Sequence, residues 1–279
     1  MVDVNQLLLA LNIVIPKAFS NYTDQIVDII STERDWVFYS GRTLPIQSQS
    51  RITTIVQDPR FQTWFNNASS QVLTVVGMDL DAVPGEVVSV LSYLSIVLMR
   101  NLSESQFTHP IGFFCRIHMD LGDPLSGAVG MIRSLIAQLV LSLHETNTLD
   151  LTFLTEADLV TIATCDLFTL CSLFDEILKR VQTGLIVCMI DGANFFRSEL
   201  HLPAMHCVMH FLNSVVAEVG RNNLGIVFKL LVTSPMGGEY FADWFPYRIE
   251  LPLLREAAVD SFGFHGSALS MPAANMPLY

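Results

Sequence analysis

The sequence contains little charge, and very little of that charge is basic. Only 15% of its 279 residues are charged, the formal net charge is −12, and lysine occurs at positions 17, 179 and 229 alone. Proteins that bind nucleic acids need clustered Lys and Arg side chains to neutralise phosphates. No such cluster occurs in this sequence. The composition therefore predicts that nucleic acid is not a partner.

The sequence also lacks a disulfide pattern and a membrane-spanning run. Its five cysteines are odd in number and scattered, which is typical of reduced, buried thiols in an intracellular protein. The most apolar stretches, 89–99 and 127–143, are interrupted by serines, Arg133 and Gln138, and fall short of the roughly 18 apolar residues of a membrane span. Asp3 precedes the first apolar run, where a signal peptide carries basic residues. We expect a cytoplasmic protein that does not bind a membrane.

Apolar residues are abundant, making up 51% of the chain with a mean hydropathy of +0.45. Five apolar or β-rich segments are predicted strands: 71–77, 111–115, 185–191, 225–234 and 247–251. Helical spacing of apolar residues predicts helices between them: 88–102, 128–143, 150–164, 166–180 and 201–219. Strands that alternate with helices form right-handed βαβ units. We therefore predict a three-layer α/β fold with a mainly parallel sheet.

The two ends of the chain depart from this pattern. Residues 1–50 contain helical periodicity in 1–33 and loop-forming residues at 41–45, which predicts a helical N-terminal lead-in. Residues 51–65 predict a further helix or a pair of turns. Small residues, glycine and proline dominate from residue 255 onward, which predicts a disordered tail over 255–279.

The segment from Leu185 to Asp191 is the most informative stretch of the chain. Its apolar residues run without alternation, which is typical of a strand buried on both faces of a parallel sheet. The strand delivers Asp191 and Gly192 to the edge of the sheet where open α/β folds bind ligands. In P-loop NTPases an acid at this place holds the magnesium ion of a bound nucleotide. Asp-Gly is also a common turn pair, so an ordinary strand ending in a turn is the alternative.

Four blocks of sequence follow one another in a recognisable order. They are VLTVVG at 72–77, a Phe-Phe-Cys strand followed by RSLIAQL at 133–139, VCMIDG at 187–192, and KLLVTSP at 229–235. In this order they resemble the NACHT-like and nephrocystin-3 N-terminal-like P-loop domains of STAND proteins, particularly the fungal group. The resemblance assigns residues 51–254 to a P-loop NTPase-like domain. It implies a nucleotide-dependent switch that senses a ligand and assembles into a signalling oligomer.

The resemblance also implies a phosphate-binding loop of the pattern G-x-x-x-x-G-K-[ST]. Counted from Gly77, the lysine position holds Val83 and the hydroxyl position holds Pro84. If Gly85 is instead taken as the second glycine of the pattern, the lysine position holds Glu86, whose charge repels a triphosphate. Neither register supplies the lysine that contacts phosphate or the hydroxyl that ligates magnesium.

The remaining catalytic positions of the family are changed as well. Asn194 and Phe195 replace the acidic pair expected beyond Asp191, and Pro235 stands where many relatives carry a γ-phosphate-sensing arginine. The chain therefore resembles a degenerate P-loop domain that has lost hydrolysis. Four residues remain as vestiges of the implied cofactor site: Gly77, Asp191, Gly192 and Ser234.

We predict a non-catalytic scaffold or regulatory interaction module, with protein partners and no bound cofactor. The alternative is a divergent ATP or GTP switch, in which Asp191 holds magnesium and loop amides near Gly77 hold phosphate. Only the switch predicts stabilisation by nucleotide that Asp191→Ala abolishes.

Two further groups of polar residues have a functional and a structural interpretation. His206 and His210 are one helical turn apart with Cys207 beside them, and they either share a metal or form a half-buried helix face. His118 and Asp120 follow the second strand and are either a proton-transfer pair or solvated loop residues. The sequence contains neither the G-x-S-x-G elbow of hydrolases nor the G-x-G-x-x-G pattern of dinucleotide enzymes.

Overall fold

A sheet of five strands forms the middle layer of the fold. The computed structural model describes residues 2–13, 21–77, 87–222 and 225–253. The strands in chain order are β1 (Gln71–Gly77), β2 (Thr108–Phe114), β3 (Gly184–Asp191), β4 (Ile226–Ser234) and β5 (Ile249–Leu253). They lie side by side in the order β2-β3-β4-β1-β5, and every pairing between them is parallel. The predicted mainly parallel sheet is therefore all-parallel over the described residues.

Helices cover both faces of this sheet. They are α1 (Val4–Ala10), α2 (Tyr22–Arg42), α3 (Ile46–Gln57), α4 (Pro59–Asn66), α5 (Val90–Leu102), α6 (Gly127–Glu145), α7 (Glu156–Ile162), α8 (Leu167–Leu178), α9 (Leu202–Asn222) and α10 (Phe241–Trp244). One core contains Leu135 of α6 and Phe174 of α8, and the other contains Trp64 of α4 and Leu94 of α5. The predicted three-layer α/β fold is confirmed, and it is consistent with a P-loop-like fold.

Strand β3 explains why the central apolar run does not alternate. Ile186 and Ile190 point into the first core, whereas Val187 and Met189 point into the second. All eight residues of the strand are buried, because helices cover both faces of a parallel sheet. The prediction of a doubly buried strand that ends at Asp191 is confirmed.

Several predicted boundaries change in the structure. Helix α2 continues to Arg42, so the loop predicted over 41–45 is limited to 43–45. The helix predicted over 150–164 forms only as α7. Strand β2 begins at Thr108 rather than Ile111, because Pro110 lies on an edge strand where its missing N–H breaks no ladder bond. The predicted tail and the phosphate-loop positions 78–86 lie outside the described residues.

The polar residues of the RSLIAQL block fasten α6 to the edge strand β2. The Gln138 side chain accepts a hydrogen bond from the Gly112 N–H at 2.9 Å and donates to the Gly112 carbonyl at 2.7 Å. Arg34 of α2 donates to Gln138 Oε1 at 2.8 Å and to the Pro110 carbonyl at 3.4 Å. Side chains thus supply the hydrogen bonds that a sixth strand would otherwise make.

Helix α6 is long and apolar enough to cross a membrane by length and composition, but 83% of that stretch is buried inside the fold. Near its middle, Arg133 donates to the carbonyls of Leu11 at 2.6 Å and Pro124 at 3.0 Å. These bonds tie the end of α1 to α6. The burial of this stretch makes α6 a core helix of the fold.

The N-terminal helices pack directly on the sheet domain. A Cβ atom at Gly41 of α2 would lie 2.3 Å from the Tyr93 ring of α5, so glycine permits the close approach of these helices. Val37 of α2 belongs to the same core as Leu73 of β1. The predicted boundary between residues 50 and 51 falls inside α3.

The contact between α2 and α5 predicts opposite effects for two glycine-to-alanine substitutions within helices. We expect Gly41→Ala to lower the free energy of unfolding by about 1–3 kcal/mol, because the new methyl group overlaps Tyr93. Gly220→Ala is the matched control, because the nearest neighbour of a Cβ there lies 3.8 Å away, at an ordinary contact distance, and alanine is favoured in helices by about 0.5–1 kcal/mol. Urea denaturation measures both, and equal effects would contradict the packing described.

The hydrogen bonds at the edge strand give a second prediction. We expect Gln138→Leu to lower the free energy of unfolding by about 2–4 kcal/mol, because both polar groups of Gly112 lose their partner in a buried place. Ser134→Ala is the control, because it removes one bond to Gln138 (3.0 Å) and leaves those of Gly112 intact; its cost should be about 1 kcal/mol. Chemical denaturation measures both costs. A larger loss of stability for Ser134→Ala than for Gln138→Leu would contradict the role of Gln138 in binding Gly112.

Candidate functional site at the carboxyl edge of the sheet

Asp191, the last residue of β3, lies at the centre of a buried polar network. Its side chain is 3% exposed. The Ser92 hydroxyl donates to Oδ2 at 2.6 Å, and the Thr233 hydroxyl donates to Oδ1 at 2.6 Å. The Gly192 N–H in turn donates to Thr233 Oγ1 at 3.1 Å. One carboxylate thus joins the ends of β3 and β4 to the first turn of α5.

The start of α5 places the Ser92 hydroxyl at this carboxylate. Ser89 caps the helix, accepting a hydrogen bond from the Ser92 N–H at 3.0 Å, and the Ser89 N–H donates to Ser92 Oγ at 3.1 Å. This reciprocal capping box fixes the first turn of the helix. Asp191 therefore lies beside a helix N-terminus, where the helix dipole stabilises negative charge.

Burial raises the pKa of Asp191 to about 6, against the opposing effect of the hydrogen bonds from Ser92 and Thr233. The group is therefore mostly ionised at neutral pH, and it gains a proton more readily than an exposed aspartate. The neighbouring Cys115 thiol is fully buried, and burial together with the charge of Asp191 raises its pKa well above the usual value. Cys115 is thus an inert thiol rather than a nucleophile.

Gly192 and Ser234 lie at the same edge as Asp191. Gly192 has a φ of 70°, a left-handed conformation that favours glycine and turns the chain into a short 3₁₀ helix. The hydroxyl of Ser234 contacts Asn194 Oδ1 at 3.0 Å and the Gly237 carbonyl. Asn194, which the resemblance aligns with an acidic position, is therefore hydrogen-bonded within the fold.

Gly77 ends β1 against the segment that follows β4. A Cβ atom at Gly77 would lie 2.6 Å from the Pro235 carbonyl oxygen, and the Gly237 N–H donates to the Gly77 carbonyl at 2.9 Å. The residues predicted as vestiges thus come together at one edge, but in two clusters. Gly77 and Ser234 contact the 235–237 turn, whereas Asp191 and Gly192 contact Thr233.

The described lysines lie away from this edge. Lys229 is at the opposite end of the sheet, where its ammonium group donates to the carbonyls of Trp64 and Ser69; burial lowers its pKa to about 8. Lys179 forms a surface ion pair with Asp175. Within the described ranges, no lysine approaches Asp191.

Sequence reasoning missed Ser92 and Thr233, the two residues that contact Asp191. A signal for Ser92 was present, because Ser89-Val90-Leu91-Ser92 opens an apolar helix with capping residues three apart. Thr233 directly precedes the predicted Ser234. In β4 successive side chains point to opposite faces, so only one of the two could face Asp191.

The structure supports neither interpretation of His118 and Asp120, because the two side chains have separate partners and His118 is buried. His118 bonds to Asp123 Oδ2 at 2.7 Å and to Glu33 Oε2 at 3.1 Å, whereas Asp120 accepts the Gly122 N–H. Burial lowers the pKa of His118, but the two carboxylates outweigh this effect and raise the pKa above its usual value.

The structure favours the helix-face interpretation of His206 and His210. His206 Nδ1 accepts a hydrogen bond from Trp244 Nε1 at 2.9 Å, which leaves the proton of the neutral ring on Nε2. Over the described ranges, no group of three potential metal ligands occurs.

No protein-family profile matches this chain, and no curated protein matches its sequence. Among solved structures, the chain is similar to a chain in the structure of Drosophila ORC bound to DNA, with a TM-score of 0.34 and 11% sequence identity. The match covers 83% of this chain and 32% of the other, so this chain spans about a third of its length. So low a TM-score supports no inference about function. The NACHT and STAND resemblance stays a prediction, while the all-parallel α/β class, consistent with a P-loop-like fold, rests on the sheet topology.

The buried carboxylate predicts a pH dependence that Asp191→Asn removes. Because the folded-state pKa of Asp191 is about 6 and the unfolded value is near 3.9, the folded state binds the proton more tightly. The stability of the wild type should therefore fall between pH 4 and pH 7, by about 3 kcal/mol relative to the variant. Chemical denaturation of both proteins across this range measures the difference.

His118 titrates in both proteins, so it cancels from the comparison. Ser92→Ala provides a second check, because removing a hydrogen bond that lowers the pKa of Asp191 should move the fall in stability to higher pH. Parallel stability curves for wild type and Asp191→Asn would rule out a raised pKa for this carboxyl group.

Proposed function

We propose that the protein is a non-catalytic P-loop-type module that acts as a scaffold or regulatory interaction domain. The observation that carries the proposal is that the Asp191 carboxylate is buried and hydrogen-bonded to other residues of the fold. Both of its oxygens accept hydroxyl hydrogen bonds in a site that is 3% exposed. In this position the carboxylate holds α5 and β4 together, a structural role that does not require a nucleotide.

The residues around Asp191 support the same function. Asn194, in place of an acid that would activate water, is bonded to Ser234. An amide cannot accept a proton from water at neutral pH, so hydrolysis lacks its general base at this position. The polar residues described at this edge therefore stabilise the fold through hydrogen bonds.

The cationic side chains near this edge are engaged with protein groups. Arg116, which follows β2, lies over the Phe195 ring with 5.2 Å from its guanidinium carbon to the ring centroid. Arg197 pairs with Glu239 at 3.4 Å. With the formal net charge of −12, this arrangement favours protein partners over a polyphosphate ligand.

One observation favours the alternative of a divergent ATP or GTP switch. A hydroxyl from the first turn of α5 meets the acid at the end of β3, Ser92 Oγ lying 2.6 Å from Asp191 Oδ2. In P-loop NTPases a hydroxyl and an acid in these two places hold magnesium together. Ser92 thus offers the switch a hydroxyl that the loop sequence does not supply.

Thermal unfolding with millimolar Mg-ATP or Mg-GTP separates the two functions. We expect no shift in the unfolding temperature of the wild type and no nucleotide hydrolysis. A switch saturated at a hundredfold excess over its dissociation constant would gain about 2.7 kcal/mol, a shift of several degrees or less for a domain of this size.

The variants make this experiment specific. Asp191→Asn and Ser92→Ala each remove a ligand that a magnesium-dependent switch requires, whereas Arg197→Gln changes an exposed ion pair at the same edge and serves as the control. A shift in the wild type and in the control that disappears in both ligand variants would overturn the non-catalytic function and establish the switch.

A further inference from the structure

A cavity of about 380 Å³ opens between α2, α5, α6 and the start of β2. Small-molecule sites are typically about 300–1,000 Å³ in volume. The cavity is distinct from the sheet edge, because Ser92 in the first turn of α5 contacts Asp191, whereas Arg100 in its last turn lines the cavity. The two residues are eight positions apart, which corresponds to about 12 Å along the helix.

Arg34 supplies a cation to the wall of this cavity. Its Nη2 donates to Gln138 Oε1 and to the Pro110 carbonyl, and both acceptors are neutral. Burial lowers the pKa of Arg34, while the charges of Glu33 and Glu145 oppose this effect. Across the described part of the chain, Arg34 makes no ion pair.

Among the other charged residues of the cavity, some are already paired and some are free to contact a ligand. Arg100 pairs with Asp35 and lies over the Phe38 ring at 3.7 Å, so its charge is already balanced. Glu104 and Glu145 line the cavity and are exposed. Neither forms an ion pair among the described residues.

Glu145 is separated along α6 from the residue that Arg34 contacts. Glu145 follows Gln138, the partner of Arg34, by seven residues on α6, which is about 10 Å along the helix. Apolar side chains that line the same cavity, Met99 of α5 and Leu141 of α6, are buried. The cavity therefore offers a cation, an apolar wall and carboxylates at its exposed end.

We propose that this cavity binds a small organic zwitterion with an aliphatic chain between its charges. The carboxylate of the ligand bonds to Arg34, a guanidinium group that suits carboxylates geometrically. Its ammonium group lies towards Glu145 and Glu104. A simple anion would be repelled by these two acids, and a simple amine would leave Arg34 without a counter-ion.

The probe for this site is 6-aminohexanoate, titrated into the full chain and followed by two-dimensional NMR. Hexanoate and hexylamine have the same chain length and each lacks one charge, so they are the matched controls. We expect saturable binding of 6-aminohexanoate that is at least about tenfold tighter than that of either control, because each control loses a charge-assisted contact.

Two exposed positions test the site without disturbing the core. Glu145→Gln should weaken binding of 6-aminohexanoate roughly two- to fivefold, as expected for an exposed ion pair, and should not weaken binding of hexanoate. Ser31→Trp, which places a large ring at an exposed position in the cavity wall, should abolish binding of 6-aminohexanoate.

Three results would overturn the proposal. They are the absence of saturable binding of 6-aminohexanoate to the folded wild type, equal affinity for hexanoate, and binding that survives Ser31→Trp unchanged. The result of the nucleotide experiment at the Asp191 edge does not decide this proposal, because the two sites lie at opposite ends of α5.

Discussion

A buried carboxylate must find hydrogen-bond donors, and at the carboxyl edge of this sheet that requirement positions three elements at once. Asp191 ends β3, Thr233 lies next to the end of β4, and Ser92 lies in the first turn of α5. Leaving an ionised carboxylate in this interior without its donors would cost several kcal/mol. The register of β3 and β4 and the start of α5 are therefore set together, and Gly192 then turns the chain away from the sheet.

The amino end of the sheet is organised by a buried charge of the opposite sign. Lys229 of β4 lies between the carbonyls of Trp64 and Ser69, near the end of α4. A cation at a helix C-terminus interacts favourably with the helix dipole, which offsets part of the cost of its burial. The sheet thus has a carboxylate at one end and an ammonium group at the other, each held mainly by neutral polar groups.

The sequence predicts what depends on local periodicity and leaves out what depends on distant partners. Strand β3 was predictable because helices bury both of its faces, and this removes the alternation of apolar and polar residues. The full length of α2 was not predictable, because much of its surface is exposed and polar. Its position depends on contacts with distant residues, such as that between Gly41 and Tyr93. Glu33 lies 85 residues from its partner His118, so no local pattern connects them. For the candidate site, Asp191 was predictable from its strand, whereas its contact with Ser92 spans 99 residues.

The way in which β2 ends the sheet also limits how another protein can bind. Many interaction domains accept a partner as an additional strand, which needs free N–H and C=O groups along an edge. At this edge Pro110 has no N–H to offer, and both polar groups of Gly112 are bonded to Gln138. Strand addition here would require the Gln138 side chain to leave its place in the core. A partner that binds this side of the domain must therefore recognise the side chains of α2 and α6 rather than the backbone of the sheet.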